Sequence, residues 1–375
     1  MRRSPVFDPP EYVNWSLEPA LLDQYSRTLQ QHPERVRLLE SLTPTDHLHL
    51  YEGLVRNRLH DIFLKRWVKQ GVISKAWLGT GEEAATIGPV HALHRGVDVV
   101  GPMIRNAGAC LEFGMPVADL FRGYLATEDS PTRGRDLHVG DLKVGVMAPI
   151  SHVGALIPVM AGFALSFKLR HQAAVALTWI GDGSTKTGEF HEGLNFAAAL
   201  HLPLIVIIQN NQVALGTRLN VHHRGEFLAL ADAYGMPGAR FDGNNVLDAW
   251  AATRWARQVC EEGGGPVLLV GETFRMGGHA THDEREARQV LDPALFQSWG
   301  KRDPIGLYEA WLERAPFHLP GAASLQERPL ANRVALEGAE ARIDAEVEAA
   351  GEVALLSRKT SPPDLSRVAE RVYAP

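Results

Sequence analysis

A chain of 375 residues with 45% hydrophobic content can bury a substantial core and lies in the ordinary range for globular proteins. Its formal net charge of −6 gives no basis for binding nucleic acid or an anionic membrane, and no apolar stretch approaches the ~18 residues of a membrane span. Two cysteines, Cys110 and Cys260, cannot build a disulfide framework, and the opening MRRSPVFDPPEYVNW lacks the apolar core of a secretory signal, so a cytoplasmic protein is expected, and an enzyme subunit fits these features as well as a regulatory or scaffolding protein does.

Residues 1–45 carry Pro5, Pro9, Pro10, Pro19, Pro33 and Pro44, which predicts an extended arm with short helical pieces, wrapped on a partner or partly mobile. From His47 to Gln70 leucines, Ile62, Phe63 and Trp67 recur at helical spacing, with Gly71 as the C-terminal cap. Gly79-Thr80-Gly81-Glu82-Glu83 opens the next helix, and Met115 to Ala126 reads as another. Asp129 to Lys143 is polar and reads as a loop over a site or an interface, whereas ALIPVMAGFALSFKL (155–169) reads as a buried, closely packed helix. The apolar run Ala173 to Ile180 is a strand, followed by a Gly-rich turn, a helix and a second buried strand that ends at Asn210-Asn211. Further on, Glu226 to Tyr234 and Val246 to Cys260 read as helices, Ala239 to Phe241 and Pro266 to Thr273 as strands. Gly277 to Gln289 is too polar for core, and residues 306–315 and about 327–350 read as amphipathic, charged helices. Strands alternating with helices predict an α/β fold, a doubly wound and mainly parallel sheet flanked by helices. The division expected is an arm (1–45), an α/β domain (46–318) and a helical tail (319–375).

The centre of the chain carries the chemistry. Gly181-Asp182-Gly183 closes one strand and Asn210-Asn211 closes the next, so a βαβ unit brings both to the same edge of the sheet. Asp182 then offers a carboxylate and Asn211 an amide oxygen to one hard cation such as Mg²⁺, which takes oxygen ligands from one or two protein groups, phosphate and water. Gly181 and Gly183 let the backbone approach a ligand without a Cβ, and the following helix turns its free N–H groups towards the same point. Two unrelated turns would also use Asp-Gly and Asn-Asn, but not at the ends of successive apolar strands.

The segment from Gly181 to Thr217 resembles the thiamine-diphosphate motif. More narrowly, it resembles the α subunit of the decarboxylating first component of 2-oxo acid dehydrogenase complexes, of the pyruvate, branched-chain and acetoin types. Further matches are Gly81-Glu82-Glu83-Ala84, Ile104-Arg105-Asn106-Ala107-Gly108, Ser151-His152-Val153-Gly154, Phe274-Arg275-Met276-Gly277-Gly278-His279 and Arg302-Asp303-Pro304. The resemblance implies a thiamine-diphosphate-binding fold, with thiamine diphosphate and Mg²⁺ as cofactors. Asp182, Asn211 and the carbonyl of Val213 are the implied metal ligands. Gly181, Gly183, Ser184 and Arg105 are the implied diphosphate contacts, and Ser151 and Val153 the contacts to the aminopyrimidine. Leu215 matches the residue that props the cofactor into its bent form. His279 matches the catalytic histidine of a mobile loop, which also touches cofactor. Departures are Ile104 and Val213 where tyrosine is usual, His152, and Lys186-Thr187 where glutamate is common. Ala280 replaces the regulated serine of mammalian members, so that switch is expected to be absent. No cysteine or further histidine stands near His279 and His282 to complete a zinc site.

In this family the carboxylate that activates the aminopyrimidine comes from a β subunit, and no β-like sequence follows residue 315. An α₂β₂ heterotetramer is therefore implied, passing an acyl group from a 2-oxo acid to a lipoyl acyltransferase core. Ala107-Gly108 and Gly81-Glu82-Glu83 lean towards a branched-chain acid over pyruvate. Two other readings share these residues: an acetoin dehydrogenase α subunit, and a non-catalytic Mg-diphosphate-binding assembly subunit.

Overall fold

Parallel strands buried on both faces are written as near-continuous apolar runs, and those runs pair side by side here. A computed structural model of the protein describes residues 1–314, 331–367 and 369–370. Strands β1 (Val99–Gly101), β2 (Ala176–Gly181), β3 (Leu204–Asn210), β6 (Gly238–Asp242) and β7 (Val267–Glu272) form one sheet in the order β1-β2-β3-β7-β6, every pair parallel. A separate two-stranded hairpin joins β4 (Val213–Ala214) to β5 (Thr217–Arg218). β1, only three residues long, is too short for a periodic signal and escapes sequence reading.

Alternate residues of each central strand face opposite cores. Leu177, Trp179, Ile205, Ile207, Val267 and Leu269 pack on one side, with helices Pro44–Lys69, Glu83–His91 and Val246–Glu261. Ala176, Ile180, Leu204, Val206, Ile208, Leu268 and Val270 pack on the other, with helices Leu156–Leu169 and Gly188–Ala199. Helix Pro44–Lys69 begins three residues earlier than its leucine spacing suggests. Thr43 and Asp46 form a reciprocal capping box around Pro44 there, and Gly71 takes the left-handed φ expected just past the end.

Two expectations are corrected. Helix Leu156–Leu169 is not buried all round: Pro158, Gly162 and Leu169 face outward, because the sheet covers only one side of it. Helix Pro304–Arg314 is not an amphipathic surface helix either, since Ile305, Leu307, Tyr308, Glu309 and Leu312 are all buried. The N-terminal residues cover it, with Trp15 against Gly306 and the Met1 amine paired with Glu309.

Residues 1–45 contain helices Pro10–Val13, Pro19–Gln30 and Pro33–Leu39, anchored by Tyr12, Leu22 and Tyr25. Two buried arginines hold them in ion pairs: Arg35 reaches Asp248 at 2.7 Å, and Arg58 gathers Asp8, Glu83 and Asp303. Helix Arg333–Thr360 lays Leu336, Ala339, Ile343, Val347 and Ala354 inward, and its Gly351 sits on the Phe63 ring, where a Cβ would overlap the aromatic atoms. The 318/319 boundary and the start of the helix expected from about 327 lie outside the described residues. No helix among the described residues is long and apolar enough to cross a membrane.

Candidate active site

The carboxyl ends of β2 and β3 carry the two halves of the central motif. Gly181 pairs with Gln209, so Asp182 and Asn211 leave adjacent strands at the same edge. Asp182 to Lys186 form a single tight 3₁₀ turn before helix Gly188–Ala199. After Asn211 the chain doubles back through the β4–β5 hairpin, and Gln212 and Leu215 both take left-handed φ, 72° and 52°. A non-glycine residue costs ~1 kcal/mol or more in that region, so the loop is held by its contacts. One is the Arg275 guanidinium, whose Nη2 donates to the Leu215 carbonyl at 3.0 Å. The hairpin seats Ala214 directly over Gly183, where a Cβ would overlap it, so glycine is required at that position by close approach.

A cavity of about 440 Å³ opens at this edge. Arg105, Ser151, Val153, Gly181, Asp182, Gly183, Ser184, Val213, Leu215 and His279 all line it. Asn211 does not: it lies fully buried one layer behind. Its Nδ2 donates to Glu82 at 2.9 Å, and its Oδ1 accepts from the Val213 N–H at 3.3 Å. Val153 and Leu215 are largely exposed, at 58% and 60%, so the mouth of the cavity has an apolar rim.

The electrostatics are lopsided. Arg105 and Arg275 are both buried. Arg105 Nε stands 3.2 Å from Glu82 Oε2, whereas Arg275 has no carboxylate within 4.0 Å among the described residues. Burial, then the neighbouring Arg105, lowers Arg275 to about 10. Burial and both guanidiniums push His279 down to about 4, leaving it neutral at pH 7. Burial likewise raises the Asp182 carboxyl, against the attraction of His222 and Arg105. The buried Asp182 Oδ2, Arg105 Nε and Glu82 Oε2 have no hydrogen-bond partner, and such orphans call for an ion or ligand. Two clustered guanidiniums fit a polyanion, and the unpartnered Asp182 carboxylate oxygen beside them fits a hard cation on its phosphates. Among the described residues no three His, Cys, Asp or Glu side chains gather as a metal cluster, so oxygens of ligand and water would complete such a cation.

Sequence reasoning assigned no role to several residues found here. Glu82, fully buried, accepts from Gln209 and Asn211 and faces Arg105, tying the two halves of the motif together. Its signal was an acidic pair, Glu82-Glu83, running straight into the apolar segment Ala84 to Val90. Arg275, between Phe274 and Met276 after a buried strand, carried a similar one. His138 also lines the cavity, its Nε2 3.0 Å from Ser151 Oγ and its Nδ1 2.6 Å from Asp136. It belongs to the polar run Asp129 to Lys143 that reads as a loop over a site or an interface, although no local signal marks its contact with Ser151.

Comparison with known proteins gives the same direction. Residues 52–318 match the family described as the dehydrogenase E1 component. The 2-oxoisovalerate dehydrogenase subunit alpha of Bacillus subtilis is 31% identical over 279 residues, covering 72% of this chain and 83% of that protein. The mitochondrial 2-oxoisovalerate dehydrogenase subunit alpha 1 of Arabidopsis thaliana is 31% identical over 270 residues, 71% of this chain, and the alignment spans 57% of the plant protein. The pyruvate dehydrogenase E1 component subunit alpha of Staphylococcus aureus is 32% identical over 283 residues, 74% of this chain and 72% of its own length. A buried aspartate at the edge of a parallel sheet, two guanidiniums facing it and a match over most of the chain converge: the protein belongs to the dehydrogenase E1 component family, as an α-subunit-type member among the 2-oxo acid dehydrogenases.

Proposed function

We propose that this chain is the α subunit of a 2-oxo acid dehydrogenase. It holds the diphosphate end of thiamine diphosphate together with Mg²⁺, for a β subunit that completes the active centre in an α₂β₂ assembly. The observation that carries the reading is the buried, unpartnered Asp182 Oδ2 beside Arg105 and Arg275, a cation site set against a polyanion site in one cavity. Asp182, Asn211 and the Val213 carbonyl hold the metal, while Arg105, Arg275 and the N–H groups of Gly183 and Ser184 hold the phosphates. When bound, thiamine diphosphate supplies the carbon nucleophile that attacks the 2-oxo group and allows CO₂ to leave. Ser151, Val153 and Leu215 position the cofactor at the mouth. His279 is kept neutral by burial and the two guanidiniums. With a diphosphate bound, those cations would be offset and the His279 imidazole would gain proton affinity, which would let it donate to an anionic substrate.

The exposed apolar residues Val153 and Leu215 at the mouth of the cavity support a partner subunit there. A lipoyl acyltransferase core is the acyl acceptor. Relatives named for 2-oxoisovalerate and for pyruvate align equally well, and Ala107-Gly108 favours the branched-chain acid. The test is dye-linked oxidation of pyruvate, 2-oxoisovalerate and 2-oxoglutarate by the chain co-expressed with its β subunit, with and without thiamine diphosphate and Mg²⁺. Cofactor-dependent turnover of 2-oxoisovalerate above the others is expected. No turnover of any acid by a well-formed complex would overturn the reading.

A further inference from the structure

Beside the Asp182 carboxylate stands a residue that the family pattern does not assign to the cation. His222 ends the short helix Leu219–His222, which follows the β4–β5 hairpin and packs over the Asp182 turn. Its Nε2 lies 3.2 Å from Asp182 Oδ2, with 12% and 1% of the two side chains exposed. Yet the two atoms make no hydrogen bond with each other or with any other described residue, and His222 Nδ1 is equally unpartnered. At 3.2 Å without a hydrogen bond, the ring N–H axis does not aim at the oxygen, so neither atom satisfies the other. Buried polar atoms left this way are costly unless something else engages them.

A separation near 3 Å is also what two neighbouring ligands show on an octahedral ion with bonds of roughly 2.1 Å. We propose that His222 is a side-chain ligand of the cation at Asp182, joining Asn211, and that the site therefore favours a first-row transition ion such as Mn²⁺ over Mg²⁺. The inference rests on the reading that Asp182 holds the cation. Mg²⁺ prefers oxygen donors, whereas first-row ions accept imidazole nitrogen, so one nitrogen ligand shifts the preference. His223, the next residue, is turned away to Lys186, 2.6 Å from its Nζ, so only one of the two adjacent histidines faces the carboxylate.

The experiment uses the full chain in its β-subunit complex with thiamine diphosphate, and Mn²⁺ and Mg²⁺ as the probes. Binding is read by titration calorimetry, and the Mn²⁺ coordination by electron spin-echo modulation from nitrogen-14. Wild type is expected to show imidazole nitrogen coupling and to bind Mn²⁺ at least ~10-fold more tightly than Mg²⁺. His222→Gln should abolish the coupling and weaken Mn²⁺ about 10-fold, with Mg²⁺ held within roughly two-fold. Mn²⁺ binding that depends on Asp182, shown by its loss in Asp182→Asn, but that carries no nitrogen coupling overturns the inference and leaves the proposed function standing. Absent Mn²⁺ binding, or binding indifferent to Asp182→Asn, overturns both.

Discussion

Glu82 is the residue whose removal tests the architecture of the site most directly. Its Oε1 accepts from Gln209 Nε2 and Asn211 Nδ2, and its Oε2 stands 3.2 Å from Arg105 Nε, all in fully or nearly fully buried surroundings. In Glu82→Gln the single amide oxygen can still serve Gln209 and Asn211, but the new NH₂ then faces the Arg105 N–H, donor against donor. Arg105 is also left without its counter-ion. Breaking one side of a buried ion pair costs ~3–5 kcal/mol, and the lower end applies because Arg105 reaches the cavity. With an unfolding entropy of ~2.1 cal/mol/K per residue, a chain of this size loses about 4 °C in Tm for ~3 kcal/mol. Scanning calorimetry at one scan rate, with and without inorganic pyrophosphate, reads the effect. Pyrophosphate at ~100 Kd adds about 2.7 kcal/mol, or some 3–4 °C, to wild type. It should add more to the variant, because it supplies the anion that Arg105 has lost. A variant that melts within about 1 °C of wild type and shows the same pyrophosphate shift would refute the claim that Glu82 is the counter-ion organising this site.

Asp182→Asn removes a carboxylate whose burial outweighs the attraction of His222 and Arg105, so the ligand-free protein should melt at or above the wild-type temperature while the Mg²⁺-dependent thermal shift disappears; a marked loss of ligand-free stability would contradict this. Gly183→Ala brings a Cβ into Ala214, and the loop should yield rather than the sheet: circular dichroism unchanged, pyrophosphate affinity down ~10-fold or more, measured by calorimetry. His47 and His279 are both pushed down to about 4, first of all by burial, so the unfolded chain binds more protons than the folded one between pH 6.5 and 4. Stability should therefore fall as pH drops through that window, and less steeply in His47→Gln, as read from melting curves at constant ionic strength.

The strands were legible because both faces of β2, β3 and β7 are covered, which forces unbroken apolar runs onto the sequence, and the Gly181 to Gly183 and Asn210-Asn211 turns mark where those runs stop. Helix Pro304–Arg314 was misjudged because its charged-looking outer side is covered by residues nearly 300 positions away, with Met1 on Glu309 and Trp15 on Gly306. No local period records such cover. Asp182 could be named from sequence because a cation needs an oxygen donor at a strand edge, whereas Arg105 and His279 were legible only through the resemblance to the family. Their company could not be named: Glu82 behind Asn211, Arg275 without a carboxylate, His138 on Ser151 and His222 on Asp182 join segments far apart in the chain. The sequence by itself determined the parallel sheet and the edge at which the cavity opens, since hydrophobic period and turn residues act over a few positions. Which charges lie together in the cavity was decided only by the tertiary structure, because burial and Coulomb energy depend on distances through space and not along the chain.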